Sequence, residues 1–152
     1  MLKRKIITTT IISIVVIISI ITIITAISLF SEGNKVSGTE IDVIASRFPA
    51  IKNIENCYYE AETIGTVGFG PTNYRLTAIV IVEEEEMEVL IQQYSGEQIN
   101  INTEMLDSVG LNGDIGWYFN QEFQEAVLGT AFMGEVYFSE EKNAIYLEVE
   151  NL

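Results

Sequence analysis

The run IENCYYEAETIGT, residues 54–66, decides how the rest of the chain is read. Its side chains alternate. Cys57, Tyr59 and Ala61 point one way and Tyr58, Glu60 and Glu62 the other, the period of a strand with one buried face. Gly65, Gly68, Gly70 and Pro71 then mark a turn region. A second strand, Tyr74 to Val82, follows with Leu76, Ala78, Val80 and Val82 on one side. Ile79 and Ile81 make its far end apolar on both sides, the composition of a central strand. The two strands are expected to pair as an antiparallel hairpin.

Working outward, Ile41, Ile44, Ala45 and Phe48 fall at i, i+3, i+4 and i+7, the stripe of a short helix. Thr39 is its expected N-cap, with Asp42 three residues on, and Pro49 stops it. On the other side Glu83 to Glu86 opens a helix with the same stripe in Met87, Leu90, Ile91 and Tyr94. Glu97 to Phe119 is irregular, and a short helix follows around Gln121 to Leu128 with Phe123 and Val127 inward. Thr130 to Phe138 and Ala144 to Glu150 close the chain as a second hairpin across the polar turn Ser139 to Asn143. Their expected inward sets are Phe132, Val136, Phe138 and Ile145, Leu147, Val149. The predicted fold is α+β: an N-terminal transmembrane helix, then a four-stranded antiparallel sheet of two hairpins with helices packed on one face.

The transmembrane expectation rests on the first thirty residues. Lys3, Arg4 and Lys5 precede a charge-free run from Ile6 to Phe30, in which Ile, Val, Leu and Phe interleave with Ser and Thr. At a helical rise of about 1.5 Å per residue such a run covers the roughly 30 Å hydrocarbon core. Basic residues before it and none close behind place the N-terminus in the cytoplasm and the remainder outside. Ala26-Ile27-Ser28 resembles a signal-peptide cleavage site, which would make the protein secreted instead. The predicted organisation is a basic tip and anchor over 1–30, a flexible stalk over 31–38 and an extracytoplasmic domain over 39–152. The expected localisation is the cell membrane, single-pass, with the membrane contacted through residues 6–30.

All 22 acidic residues lie at Glu32 or beyond, and the formal net charge is −14. That charge excludes nucleic acid as a partner, because affinity for it comes from Lys and Arg displacing counterions. It favours cationic partners instead. The chain has no histidine, so neither a Ser-His-Asp nor a Cys-His arrangement is possible, and a zinc site lacks its ligands. No catalytic residue, metal or cofactor is expected. Cys57, the single cysteine, reads as a small apolar strand residue. The run Glu83 to Glu86 reads as a first helical turn complementing the helix dipole. Between Asn100 and Asp114 the polar residues suggest a calcium loop, but Met105 and Leu111 stand where an EF-hand needs its glycine and its bidentate glutamate.

Two strands repeat one pattern: Tyr58-x-Glu60-x-Glu62 and Tyr146-x-Glu148-x-Glu150. Glu135, Tyr137, Arg75 and Thr77 would share their outward face. If helices cover only one side of the sheet, this open face presents tyrosines and carboxylates to a basic protein or peptide. The same residues are also what an ordinary solvated sheet face would carry. A second candidate is the aromatic cluster Trp117, Tyr118 and Phe119, which would line a pocket or plug the core.

The KRK-led hydrophobic start, RFPAIKNIENCYYE leading into a hairpin and the closing GEVYFSEEKNAIYLEVE together resemble small uncharacterised membrane-anchored or lipid-anchored surface proteins of Gram-positive bacteria. The chain departs from the lipid-anchored members in having no cysteine directly after the hydrophobic run. The resemblance implies no assigned activity and no transferable site residue. The expected function is a membrane-tethered, non-enzymatic binding or accessory protein of the cell envelope. Alternatives are an immunity-type protein that binds a secreted toxin or cationic peptide, and a hydrolase built on Glu60 and Glu148.

Overall fold

The alternating stretch forms strand β2 (Ile54–Ile64), paired antiparallel with β3 (Asn73–Val82). The computed structural model describes residues 35–64, 73–101, 103–111 and 115–151. At the C-terminal end β6 (Phe132–Ser139) pairs with β7 (Ala144–Asn151), and β7 pairs with β3 so that the two hairpins join at the centre. Three short strands extend this unit. These are β1 (Lys35–Gly38) beside β2, and β5 (Trp117–Phe119) beside β6 with β4 (Glu97–Ile99) at the far edge. The result is one seven-stranded antiparallel sheet in the order β1-β2-β3-β7-β6-β5-β4.

The expectation of four strands is therefore corrected. A strand of three or four residues is too short for period-2 alternation to show, and Lys35–Gly38 is polar enough to pass for a stalk. Its backbone nonetheless pairs with Tyr59 to Glu62.

Helices α1 (Ile41–Arg47), α2 (Glu84–Gln93) and α4 (Gln121–Leu128) lie on one side of the sheet. Their apolar stripes bury Ile44, Met87, Leu90, Phe123 and Val127 against Leu76, Ala78, Val80, Val136, Leu147 and Val149. Local chemistry sets the helix ends. The Asn120 side chain accepts the Phe123 N–H at 2.9 Å, capping α4. Glu84, Glu85 and Glu86 occupy the first turn of α2, where carboxylates are favoured by the dipole. At α1 the N-cap is Glu40 rather than Thr39, and the Glu40 carboxylate accepts the Tyr59 hydroxyl at 2.8 Å. That hydrogen bond holds the Glu40 carboxyl below its ordinary range.

Helices on one face only is a second expectation that the structure corrects. The opposite face carries its own core of Ile79, Ala144, Tyr146 and Trp117, covered by Met105 and Leu106 of a five-residue helix α3 (Glu104–Ser108) and by Ile115. The cause is in the central strands. Ile79 and Ile81 on β3, with Ala144 and Tyr146 on β7, put apolar area on the side away from the main helices, and that area is stabilised only when covered.

The third correction concerns the membrane. The expected anchor, residues 6–30, lies outside the described residues. Among the described residues no helix is long and apolar enough to cross a membrane. The longest, α2, has ten residues and is amphipathic, with Met87 and Leu90 buried and Glu84, Glu85 and Glu88 exposed. It reaches about 15 Å, against the roughly 30 Å a spanning helix needs. The transmembrane, single-pass and membrane-localisation readings are therefore not supported by any described helix.

Two substitutions probe the second core. Trp117, 1% exposed, meets Tyr146 edge-on with ring centroids 6.2 Å apart. Trp117→Ala is expected to destabilise the protein by about 3–5 kcal/mol in denaturant unfolding. Nearby, the Ser139 hydroxyl is fully buried without a hydrogen-bond partner among the described residues. Ser139→Ala should accordingly be neutral or stabilising, by up to about 1 kcal/mol. A loss of more than that would mean the hydroxyl is bonded after all.

Candidate functional site

Register places the outward side chains of the sheet in rows that run across the strands. The row nearest the open end holds Lys35, Glu62, Arg75, Glu150 and Met133. The next holds Ser37, Glu60, Thr77, Glu148 and Glu135. The third, Tyr58, Ile79, Tyr146, Tyr137 and Phe119, borders the second core.

The nine residues expected on an open face do share one side of the sheet, but they are not equally available. Tyr146 is only 2% exposed, under Trp117. Tyr58 and Tyr137 are half-buried at the margin of the same cluster. Glu60 and Glu150 are half-buried, while Glu62, Arg75, Glu135 and Glu148 are exposed. The free part of the face is thus the two rows of charged side chains, with the tyrosines forming its inner border. The aromatic cluster divides between the two faces. Trp117 enters the second core, Tyr118 stacks on Phe138 of the main core at 5.9 Å, and Phe119 packs against Tyr137. It is strand β5, and its rings pack against both sides of the sheet instead of meeting around a common pocket.

Each tyrosine hydroxyl of the third row donates to the carboxylate two residues along its own strand: Tyr58 to Glu60 at 3.2 Å, Tyr146 to Glu148 at 3.2 Å and Tyr137 to Glu135 at 2.6 Å. Burial, followed by the charge of Glu148, pushes the Tyr146 phenol up to about 12. Burial and the hydrogen bond to Glu135 raise that of Tyr137 as well. The cations are placed unevenly. Lys35 pairs with Glu60 at 2.6 Å, which raises the lysine pKa, and Arg75 grips one oxygen of Glu150 through Nη2 at 2.6 Å and Nε at 2.9 Å. Glu135 and Glu148 stand directly opposite each other on neighbouring strands, and no described cation bridges either of them. Like charges in that register cost roughly 0.2–1 kcal/mol.

Beside this pair lies a shallow cavity of about 250 Å³, lined by Arg75, Met133, Gly134, Glu135, Glu148 and Glu150. Gly134 has a positive φ of 136°, and a Cβ there would collide with the Glu148 carbonyl oxygen. The close approach of β6 to β7 therefore requires glycine. Lys35, Met133 and Gly134 were not singled out from the sequence. A glycine inside an alternating strand was the one signal that pointed there. A wider polar groove of about 680 Å³ lies between the end of α2 and the start of α4, lined by Gln93, Ser95, Asn120, Gln121, Glu122 and Glu125.

Cys57 is buried on the opposite face, and burial pushes its thiol pKa up. Among the described residues no group of His, Cys, Asp and Glu is placed to hold a metal ion. Comparison with protein-family models, curated proteins and solved structures gave no match.

The buried phenols predict alkaline sensitivity. A raised tyrosine pKa means the folded chain keeps a proton that the unfolded chain releases near 10. The stabilisation is complete below pH 10 and is lost as the pH climbs toward about 12. Urea unfolding midpoints should fall across that interval. Tyr146→Phe should flatten the fall, and an unchanged pH profile in that variant would place the sensitivity elsewhere.

Proposed function

We propose that this is a non-enzymatic binding protein whose acidic sheet face receives a cationic protein or peptide. The observation that carries the reading is the exposed pair Glu135 and Glu148. Two neighbouring carboxylates, Glu60 and Glu150, are ion-paired with Lys35 and Arg75, and this pair forms no ion pair among the described residues. A lysine or arginine from a partner relieves the like-charge contact while gaining two charged acceptors. Met133 and the Gly134 backbone offer surface for the aliphatic stem of such a side chain. Tyr137 and Tyr146 orient the two carboxylates before any partner arrives, so less side-chain freedom is lost on binding. The net charge of −14 adds long-range attraction for cations.

The test uses oligolysine as probe and isothermal titration calorimetry as readout. The double variant Glu135→Gln, Glu148→Gln is expected to bind about tenfold more weakly than the parent. Binding by the parent should also fall steeply as salt is raised. Glu84→Gln, Glu85→Gln on α2 removes the same charge from the helical side and should leave affinity within about twofold. Equal weakening in both double variants would mean that net charge alone attracts the probe, and the face would lose its role.

A further inference from the structure

β6 has a neighbour along only part of one side. It pairs with β7 from Phe132 to Ser139, yet β5 meets it only at Phe138 and Tyr137. Beyond Phe119 the chain turns at Asn120 into α4. Phe132–Val136 is left without a strand on that side among the described residues. One backbone group of this gap is occupied: the Val136 N–H donates to the Gln124 side chain of α4 at 3.2 Å. Backbone groups alternate sides along a strand, so the amide two residues away, at Gly134, turns to the same side as that of Val136. Met133, Gly134 and Glu135 are all exposed, and Met133, at 51%, is among the few large apolar side chains in the described chain that face solvent.

Open strand edges are templates for pairing, and proteins usually protect them with lysine, proline, a bulge or a covering segment. Gln124 protects one amide here, and the remaining charge at the gap is negative. Glu135 lies on the strand itself, Glu148 beyond it on β7, and Glu122 and Glu125 are exposed on α4, the helix that borders the gap. A second copy of the chain, at net charge −14, would bring like charge to this edge. A cationic strand brings the opposite.

We propose that an extended cationic segment of a partner protein adds to the sheet beside Phe132–Val136. Its main chain bonds to Gly134 and its lysine or arginine side chains reach Glu135 and the carboxylates on either side. The inference rests on the cationic-partner reading above and specifies the conformation in which that partner is held.

The experiment uses the full chain and two synthetic peptides. One alternates lysine with valine. The other has the same sequence but is N-methylated on alternate residues, keeping its charge and losing the N–H donors of one edge. The first peptide should bind, and N-methylation should weaken binding about tenfold or more, the equivalent of roughly one net backbone hydrogen bond. Hydrogen exchange at the Gly134 amide should slow about tenfold or more in the complex with the first peptide. Equal binding of the two peptides with unchanged exchange at Gly134 would overturn strand addition, while the acidic face would keep its cationic partner. Failure of both peptides to bind would overturn both readings.

Discussion

The pairing of β3 with β7 joins the two halves of the described chain. Seven registered pairs from Arg75 and Glu150 to Ile81 and Ala144 fuse an N-terminal and a C-terminal hairpin into one sheet. At one end these central strands are apolar on both faces. Val80 and Ile145 look into the main core, while Ile79 and Tyr146 look the other way. Ile99, Met105, Leu106 and Ile115 cover the second face, and the nearby strands β4 and β5 have three residues each. A β5 that short cannot accompany β6 along its length. The open edge at Phe132–Val136 begins where β5 ends and the chain turns at Asn120 into α4.

The same constraint divides the outward face. Where the second core ends, the rows become charged, and three tyrosines stand at the boundary with rings packed inward and hydroxyls directed at Glu60, Glu148 and Glu135. Tyrosine suits that place because its ring supplies apolar area and its hydroxyl is satisfied by a neighbouring acceptor. The rings of Tyr137 and Tyr146 stack at 6.2 Å, so the two carboxylates they hold are fixed beside each other. The like-charge contact therefore arises from the aromatic packing beneath it.

What the sequence made legible follows from length and period. The stripes of Ile44 with Phe48, Met87 with Leu90 and Phe123 with Val127 gave helices where the structure has them. Alternation in Cys57, Tyr59 and Ala61 and in Ile145, Leu147 and Val149 gave the long strands and their inward faces. The short strands were illegible because a ladder of three or four residues is determined by its neighbour's edge and leaves little mark on its own side chains. That blindness had a functional cost. Without β1, Lys35 could not be set beside Glu60, and without the cover over Tyr146 the tyrosines counted as exposed. The face was located by its residues, but its electrostatics depended on elements too short to read.

An ordinary solvated sheet face would also carry Tyr and Glu, so composition alone does not favour a binding role. The distribution of compensation is more informative. Surface ion pairs contribute little stability each, about 0–1 kcal/mol. Their absence at Glu135 and Glu148 among the described residues therefore costs the fold little. A cation brought by another molecule meets a different balance, because two carboxylates already held by hydroxyls offer it charged acceptors with little reorganisation. The edge beside them supplies what charge alone lacks, since backbone hydrogen bonds fix direction and register while carboxylates draw any cation. Attraction and alignment come from adjacent residues, Glu135 and Gly134, on a strand whose free side begins where β5 gives way to α4.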